Sequence, residues 1–270
     1  MKSSRWFFGI LVPCICLTAM VHGDTLLQYE GFAYTSGSSV SGQNGGTGWS
    51  GAWGSPGGLD ATTTPSSLTS GNLAVSGGAL STAGSQPPNQ GASVATWTRL
   101  LGTQQGIDNT TVYLSFLLQP DAGDGFYGGI NFGNVFVGRS GNQSFYGLEG
   151  PGNDVSLSSV PVVSGQAVLF VLRTDFLAGN DVLSLYLNPT PGGAEPGTAN
   201  VVKTDLDMGT ISSLTINNYG GFTTDEIRIG SSFASVTPSA LVPEPAFGLC
   251  VALAGVLMGL RRRQAKPSGN

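Results

Sequence analysis

The chain has 270 residues, a formal net charge of −5, 42 glycines, three cysteines and a single histidine. His22, Cys14, Cys16 and Cys250 all lie near the two ends, so the region between offers no disulfide, no Cys or His zinc site, no thiol nucleophile and no Ser-His-Asp triad. Between residues 24 and 242 five basic residues (Arg99, Arg139, Arg173, Lys203, Arg228) face 15 of the 16 acidic ones, a formal charge of −10; nucleic acid needs a basic footprint and is excluded as a partner.

From the start, Lys2 and Arg5 precede an apolar stretch, Trp6 to Val21, and Val21-His22-Gly23 suits a signal peptidase. Residues 1–23 therefore read as a secretory signal peptide with a helical core, cut after Gly23. Pro13 before Cys14 and Ile15 before Cys16 argue against lipoprotein processing.

Residues 24–237 read as one β domain. Short runs rich in β-branched and aromatic residues alternate with Gly, Ser, Asn and Pro clusters: Thr25 to Tyr29, Ser93 to Leu100, Thr111 to Gln119, Phe126 to Phe132, Val135 to Arg139, Phe145 to Glu149, Val155 to Val163, Ala167 to Thr174, Val182 to Asn188, Leu214 to Asn217 and Glu226 to Ile229. None keeps a helical period, so the fold class is all-β, a two-sheet antiparallel sandwich. The runs 112–118 and 169–172 are too continuously apolar for strands with one wet face, which predicts central strands covered on both sides. Residues 167–188, with Gly179-Asn180 between the two runs, predict an antiparallel hairpin. Thr190 to Asn200, with three prolines or glycines in its first four residues, predicts a surface loop.

Three features of this domain bear on chemistry. Trp49 and Trp53 lie four positions apart in a glycine-rich loop, where they either stack on sugar rings or cover the end of the core. Asp121 and Asp124, in Asp121-Ala122-Gly123-Asp124-Gly125, are the candidate calcium ligands, although Asp-Gly clusters also simply make turns. Asp225 and Glu226 are adjacent acids, which on a regular strand point to opposite faces, and Glu226 with Arg228 reads as a surface ion pair.

The tail follows: a linker, 238–245, then the uncharged run Ala246 to Leu260 and a basic end, 261–270. Two prolines around Glu244 hold Pro243-Glu244-Pro245 extended and delay any helix until after them. The 15 apolar residues, as a helix, span about 22 Å, a short transmembrane segment. Arg261, Arg262 and Arg263 mark its cytoplasmic side, which puts the β domain outside.

Pro243-Glu244-Pro245, the short apolar helix and the three arginines together resemble the PEP-CTERM sorting signal of Gram-negative bacteria. The resemblance implies processing by signal peptidase and by an exosortase, transient inner-membrane anchoring, and release to the cell surface or an exopolysaccharide matrix. A second resemblance rests on Tyr29-Glu30-Gly31-Phe32 leading to Gly42 to Trp49, on Leu187 to Pro191, and on Asp225-Glu226-Ile227-Arg228-Ile229-Gly230. These are similar to concanavalin-like (laminin G-like) jelly-roll domains of secreted bacterial proteins. That fold implies sugar binding or glycan hydrolysis in some members and plain architecture in others.

Glycan hydrolases of this kind carry a strand with two glutamates bracketing an aspartate, because acid and nucleophile must stand about 5 Å apart. No Glu-x-Asp-x-Glu or Glu-x-Asp-x-x-Glu occurs here. The sequence thus points to a non-catalytic structural or interaction module, without a required cofactor, with a lectin-like or glycan-hydrolysing protein as the alternative. The two end signals generate one prediction: the intact mass of the secreted species lacks residues 1–23 and everything beyond the Pro-Glu-Pro region, and a soluble extracellular form that keeps the full tail contradicts it.

Overall fold

The computed structural model describes residues 24–54, 60–82, 95–122, 125 and 127–240. The expected signal helix and transmembrane helix fall outside them; among the described residues no helix is long and apolar enough to cross a membrane. The strands are β1 (Leu26–Glu30), β2 (Thr62–Thr63), β3 (Leu80–Ser81), β4 (Ala95–Gln105), β5 (Thr111–Pro120), β6 (Tyr127–Phe132), β7 (Val135–Arg139), β8 (Phe145–Gly150), β9 (Asp154–Pro161), β10 (Val168–Asp175), β11 (Asp181–Leu187), β12 (Val201–Leu206), β13 (Ile211–Tyr219) and β14 (Phe222–Gly230), followed by a one-turn helix α1 (Phe233–Val236).

These strands build two antiparallel sheets. One runs β12-β11-β10-β5-β14-β3-β2, with β1 also paired to β14, and the other runs β4-β13-β6-β7-β8-β9. The arrangement agrees with the all-β sandwich expected, and β10 and β11 form the predicted hairpin, Phe170 opposite Leu187 through Asp175 opposite Val182. Three strands were not anticipated: the two-residue β2 and β3, too short to show a pattern, and β12, which carries Lys203, Thr204 and Asp205 amid its apolar residues because it lies at a sheet edge where polar positions are tolerated.

The main core fills the space between the sheets. Phe116 of β5 stacks on Phe170 of β10 with centroids 4.7 Å apart, and Tyr146 of β8 meets Phe170 edge-on at 5.1 Å. A second, smaller core lies on the outer side of the eight-stranded sheet, where Leu73, Phe233 and Val236 cover Tyr113, Leu117, Leu169, Val171 and Tyr186. This third layer explains why β5 and β10 read as unbroken apolar runs: both of their faces are dry.

Among the described residues, two charged contacts join the sheets. At one edge Lys203 of β12 is buried and pairs with Asp154 of β9 and, at 3.0 Å, with Asp205. Within the sandwich Glu30 of β1 and Arg99 of β4, each 1% exposed, form an ion pair between the sheets. Glu30 also accepts from the Phe32 amide at 2.8 Å, the Tyr34 hydroxyl at 2.7 Å and Trp53 Nε1 at 3.0 Å. Arg99 donates to Gly51 O, Asn44 Oδ1 and Gly45 O at 2.9, 3.1 and 2.7 Å. One carboxylate and one guanidinium thereby hold the whole glycine-rich loop, 41–54, against both sheets.

Removing one member of a buried pair strands the other charge. Glu30→Gln and Arg99→Met are each expected to lower the unfolding free energy by about 3 to 5 kcal/mol, and the double variant by less than both together, in urea titrations. Strict additivity would contradict the coupling.

Candidate functional site

The structure assigns the tryptophans different places. Trp53 is 1% exposed: one side of its indole stacks on Phe32 at 5.9 Å, and Trp49 and the Arg99 guanidinium lie at 6.0 and 5.5 Å. Trp53 is therefore a core residue with no ring face for a sugar, the second of the two roles its loop position allows. Trp49 is half-buried, donates to Tyr29 O at 2.9 Å and carries the Arg99 guanidinium 5.1 Å from its ring centre. Its polar edge and one side are thus engaged in fastening the loop.

Asp121 is half-buried and accepts from Gln119 Nε2 at 3.2 Å and from Thr223 Oγ1 at 3.1 Å, and burial pushes its carboxyl up from the ordinary range. Asp124 lies outside the described residues, as do Pro243, Glu244, Pro245, Arg261, Arg262 and Arg263. Among the described residues no group of three or more His, Cys, Asp or Glu side chains is placed to hold a metal.

The acidic pair on β14 is also corrected. A bulge between Asp225 and Arg228 puts Glu226 at φ 53° and breaks the alternation, so both acids reach the same loop on the outer side of the eight-stranded sheet. Asp225 accepts from the Leu68 amide at 2.8 Å, and Glu226 accepts from the Ser76 amide at 2.6 Å and pairs with Arg228. The pair is not a surface one: Glu226 and Arg228 are both buried. Arg228 donates on to Ala74 O at 2.6 Å and lies 5.0 Å from the Tyr29 ring centre. These groups clamp residues 67–76, and their lone pairs are consumed in doing so.

An arrangement that sequence reasoning missed occupies the outer face of the six-stranded sheet. Register places Thr96, Asn217, Gly129, Gly138, Gly147 and Leu157 in one row across β4, β13, β6, β7, β8 and β9. The next outward row holds Thr98, Thr215, Asn131, Phe136, Glu149 and Val155. Inward neighbours such as Ile130, Val137, Leu148 and Ile216 belong to the core, which fixes the direction of both rows.

The glycines create space that side chains then use. A Cβ on Gly129 would stand 2.2 Å from Val137 O and 2.9 Å from the tip of Phe136. Phe136 instead lies flat across this row and is buried, and Tyr127 stacks on it at 4.2 Å with 29° between the rings. The Tyr127 hydroxyl donates to Glu149 Oε2 at 3.2 Å, and Ser140 Oγ donates to the same oxygen. Burial first, and Glu149 second, push the Tyr127 phenol well above its ordinary pKa, so it stays a donor. Nearby, the buried Oδ1 atoms of Asn131 and Asn217 have no hydrogen-bond partner among the described residues.

The result is a half-exposed aromatic ring held flat on the sheet beside a carboxylate. A flat ring takes the apolar face of a sugar, and fixed acceptors take its hydroxyls. The sequence held a faint signal for this, the alternation Tyr127-Gly-Gly129-Ile-Asn131, but which strands lie beside it is set by register alone.

No family model and no curated protein sequence matches the chain. Solved structures do resemble it in outline. An endo-beta-1,4-glucuronan lyase from the fungus Trichoderma reesei is 13% identical, with 80% of this chain and 100% of that one covered, at a TM-score of 0.44. Domain 4 of AbnA, a GH43 extracellular arabinanase from Geobacillus stearothermophilus in complex with arabinotriose, is 14% identical over 79% and 97% at 0.48. The lectin UEA-II complexed with galactose is 12% identical over 62% and 94% at 0.35. With TM-scores below 0.5, none of these likenesses bears on the chemistry of this chain.

The clamp on β14 carries a pH prediction. Burial, and then the adjacent Glu226, push Asp225 up from 3.8 to about 9. The folded state thus keeps a proton that the unfolded chain releases, and this contribution to stability is full below 3.8 and lost as pH rises through about 9. Denaturant titrations are expected to show the protein less stable at about pH 8 than at about pH 5, with the difference reduced in Asp225→Asn. An equal slope in the variant contradicts this.

Proposed function

We propose that the protein is an exported module that acts at the cell surface or in an exopolysaccharide matrix, brought there by signal peptidase and an exosortase acting on its two ends. Its sandwich, of jelly-roll type, serves as a non-catalytic interaction module that contacts a glycan through the outer face of the six-stranded sheet. The observation that supports this contact is the Tyr127 ring, laid flat on Phe136 and tied by its hydroxyl to Glu149. A surface tyrosine free to rotate loses entropy on stacking; one already fixed loses little.

Neutral sugars fit better than charged ones. Glu149 and the net negative charge of the domain repel an anionic polysaccharide. Glu149 is the one carboxylate among the residues of this patch, and hydrolysis by the usual route needs a second at a defined separation. Binding without turnover follows.

Affinity electrophoresis in gels cast with neutral polysaccharides tests this reading. The wild-type domain is expected to be retarded, and Tyr127→Ala to lose the retardation while losing about 1 to 2 kcal/mol of stability with its stacking partner. Trp53→Ala, a core change, is expected to cost about 3 to 5 kcal/mol instead. Retardation that survives Tyr127→Ala, or no retardation on any neutral glycan, overturns the assignment of the face; measurable polysaccharide cleavage overturns the non-catalytic reading.

A further inference from the structure

The path of the chain after β14 sets which way the sandwich faces when its tail is held. Phe233 of α1 meets the rings of Tyr113 and Tyr186 edge-on at 6.4 and 6.2 Å, on the outer side of the eight-stranded sheet. The next residues are fastened in turn: Gly192 N donates to Thr237 O at 2.7 Å, Ala74 N to Pro238 O at 2.8 Å, and Ala240 N to Asn72 O at 2.8 Å, with Leu73 and Ser239 bridged between them. Ala240 is therefore pinned to loop 70–75 on that side. The Tyr127 face is the outer face of the other sheet, across the full thickness of the sandwich.

Little chain separates Ala240 from the apolar run that begins at Ala246. Six residues reach at most about 20 Å when fully extended, whereas a compact domain of this size is about 40 Å across. Such a tether lets the domain tip but not turn over.

We infer that, while the tail holds the protein on a membrane, the eight-stranded sheet faces that membrane and the Tyr127 face points away from it. The inference rests on the reading of the tail as an anchor and of the Tyr127 face as the binding surface. Its consequence is the source of the glycan: the face meets polysaccharide on the outer side, in the matrix or on a neighbouring surface, and not the glycolipid headgroups of the membrane that carries it.

Because every native cysteine lies in the first 23 residues or the tail, Cys250→Ser leaves the exported chain without a thiol. In that background Leu157→Cys reports the six-stranded face and Asn72→Cys the exit side; both positions are exposed. The full chain is produced in cells lacking the processing enzyme, membranes are collected, and each variant is labelled with a maleimide-polyethylene glycol before and after release in detergent. The expected result is one rate for Leu157→Cys in both states and a rate for Asn72→Cys several-fold slower on the membrane. Slowing at Leu157→Cys, equal rates at Asn72→Cys, or a chain recovered soluble with its tail intact each overturn the inference. Glycan retardation plays no part in this readout, so a failed binding surface and a failed orientation give different results.

Discussion

The pairing of Glu30 with Arg99 is the constraint around which the sandwich is assembled. Two opposite charges in an apolar interior are tolerated only when each is neutralised and its remaining hydrogen-bonding capacity is filled. Here that requirement recruits Tyr34, Trp53, Asn44, Gly45 and Gly51 from a loop that has little apolar surface of its own. A stretch rich in glycine would otherwise gain little from ordering, since glycine loses the most backbone freedom on folding. The buried pair supplies the specificity that a hydrophobic contact alone would not, because polar partners must be in place and not merely nearby.

The same first strand serves a second polar cluster on its other side. Glu30 points into the core, while the neighbouring Tyr29 contacts Glu226 and Arg228 on the outer surface of the sheet. Between them the two clusters fix the loops that close the sandwich end and cover its back. With that back covered and its last strand leading into α1, the eight-stranded sheet is committed to structure, and the six-stranded sheet is left as the surface with half-open polar and aromatic side chains.

Much of this was legible in the residues. The unbroken apolar runs at 112–118 and 169–172 announced strands dry on both faces, and the turn at Gly179-Asn180 announced the hairpin. The exposed aromatic face was not, because Tyr127 and Asn217 are 90 positions apart and meet only through strand register, which no local pattern encodes. The bulge at Glu226 was equally hidden: left-handed backbone is a signal when a glycine supplies it, and here a glutamate does, held by its own buried contacts. Trp53 was ambiguous for a related reason. Its glycine-rich surroundings suggested an open loop, and only the distant Glu30 and Arg99 turn that loop inward.

The clasp formed by Lys203 has a consequence for behaviour at high concentration. β12 and β9 are the outermost strands at one side of their respective sheets, and an exposed strand edge invites pairing with the edge of another molecule. Lys203 buries its ammonium on β12 and joins it to Asp154 on β9, so an approaching strand meets a charge turned inward where ladder partners and apolar contacts would have to continue. Val202, exposed on the same strand, would otherwise be a natural seed for such growth. This lysine thereby opposes edge-to-edge extension of the sheets between molecules, so that a guard against such growth is built into the fold itself.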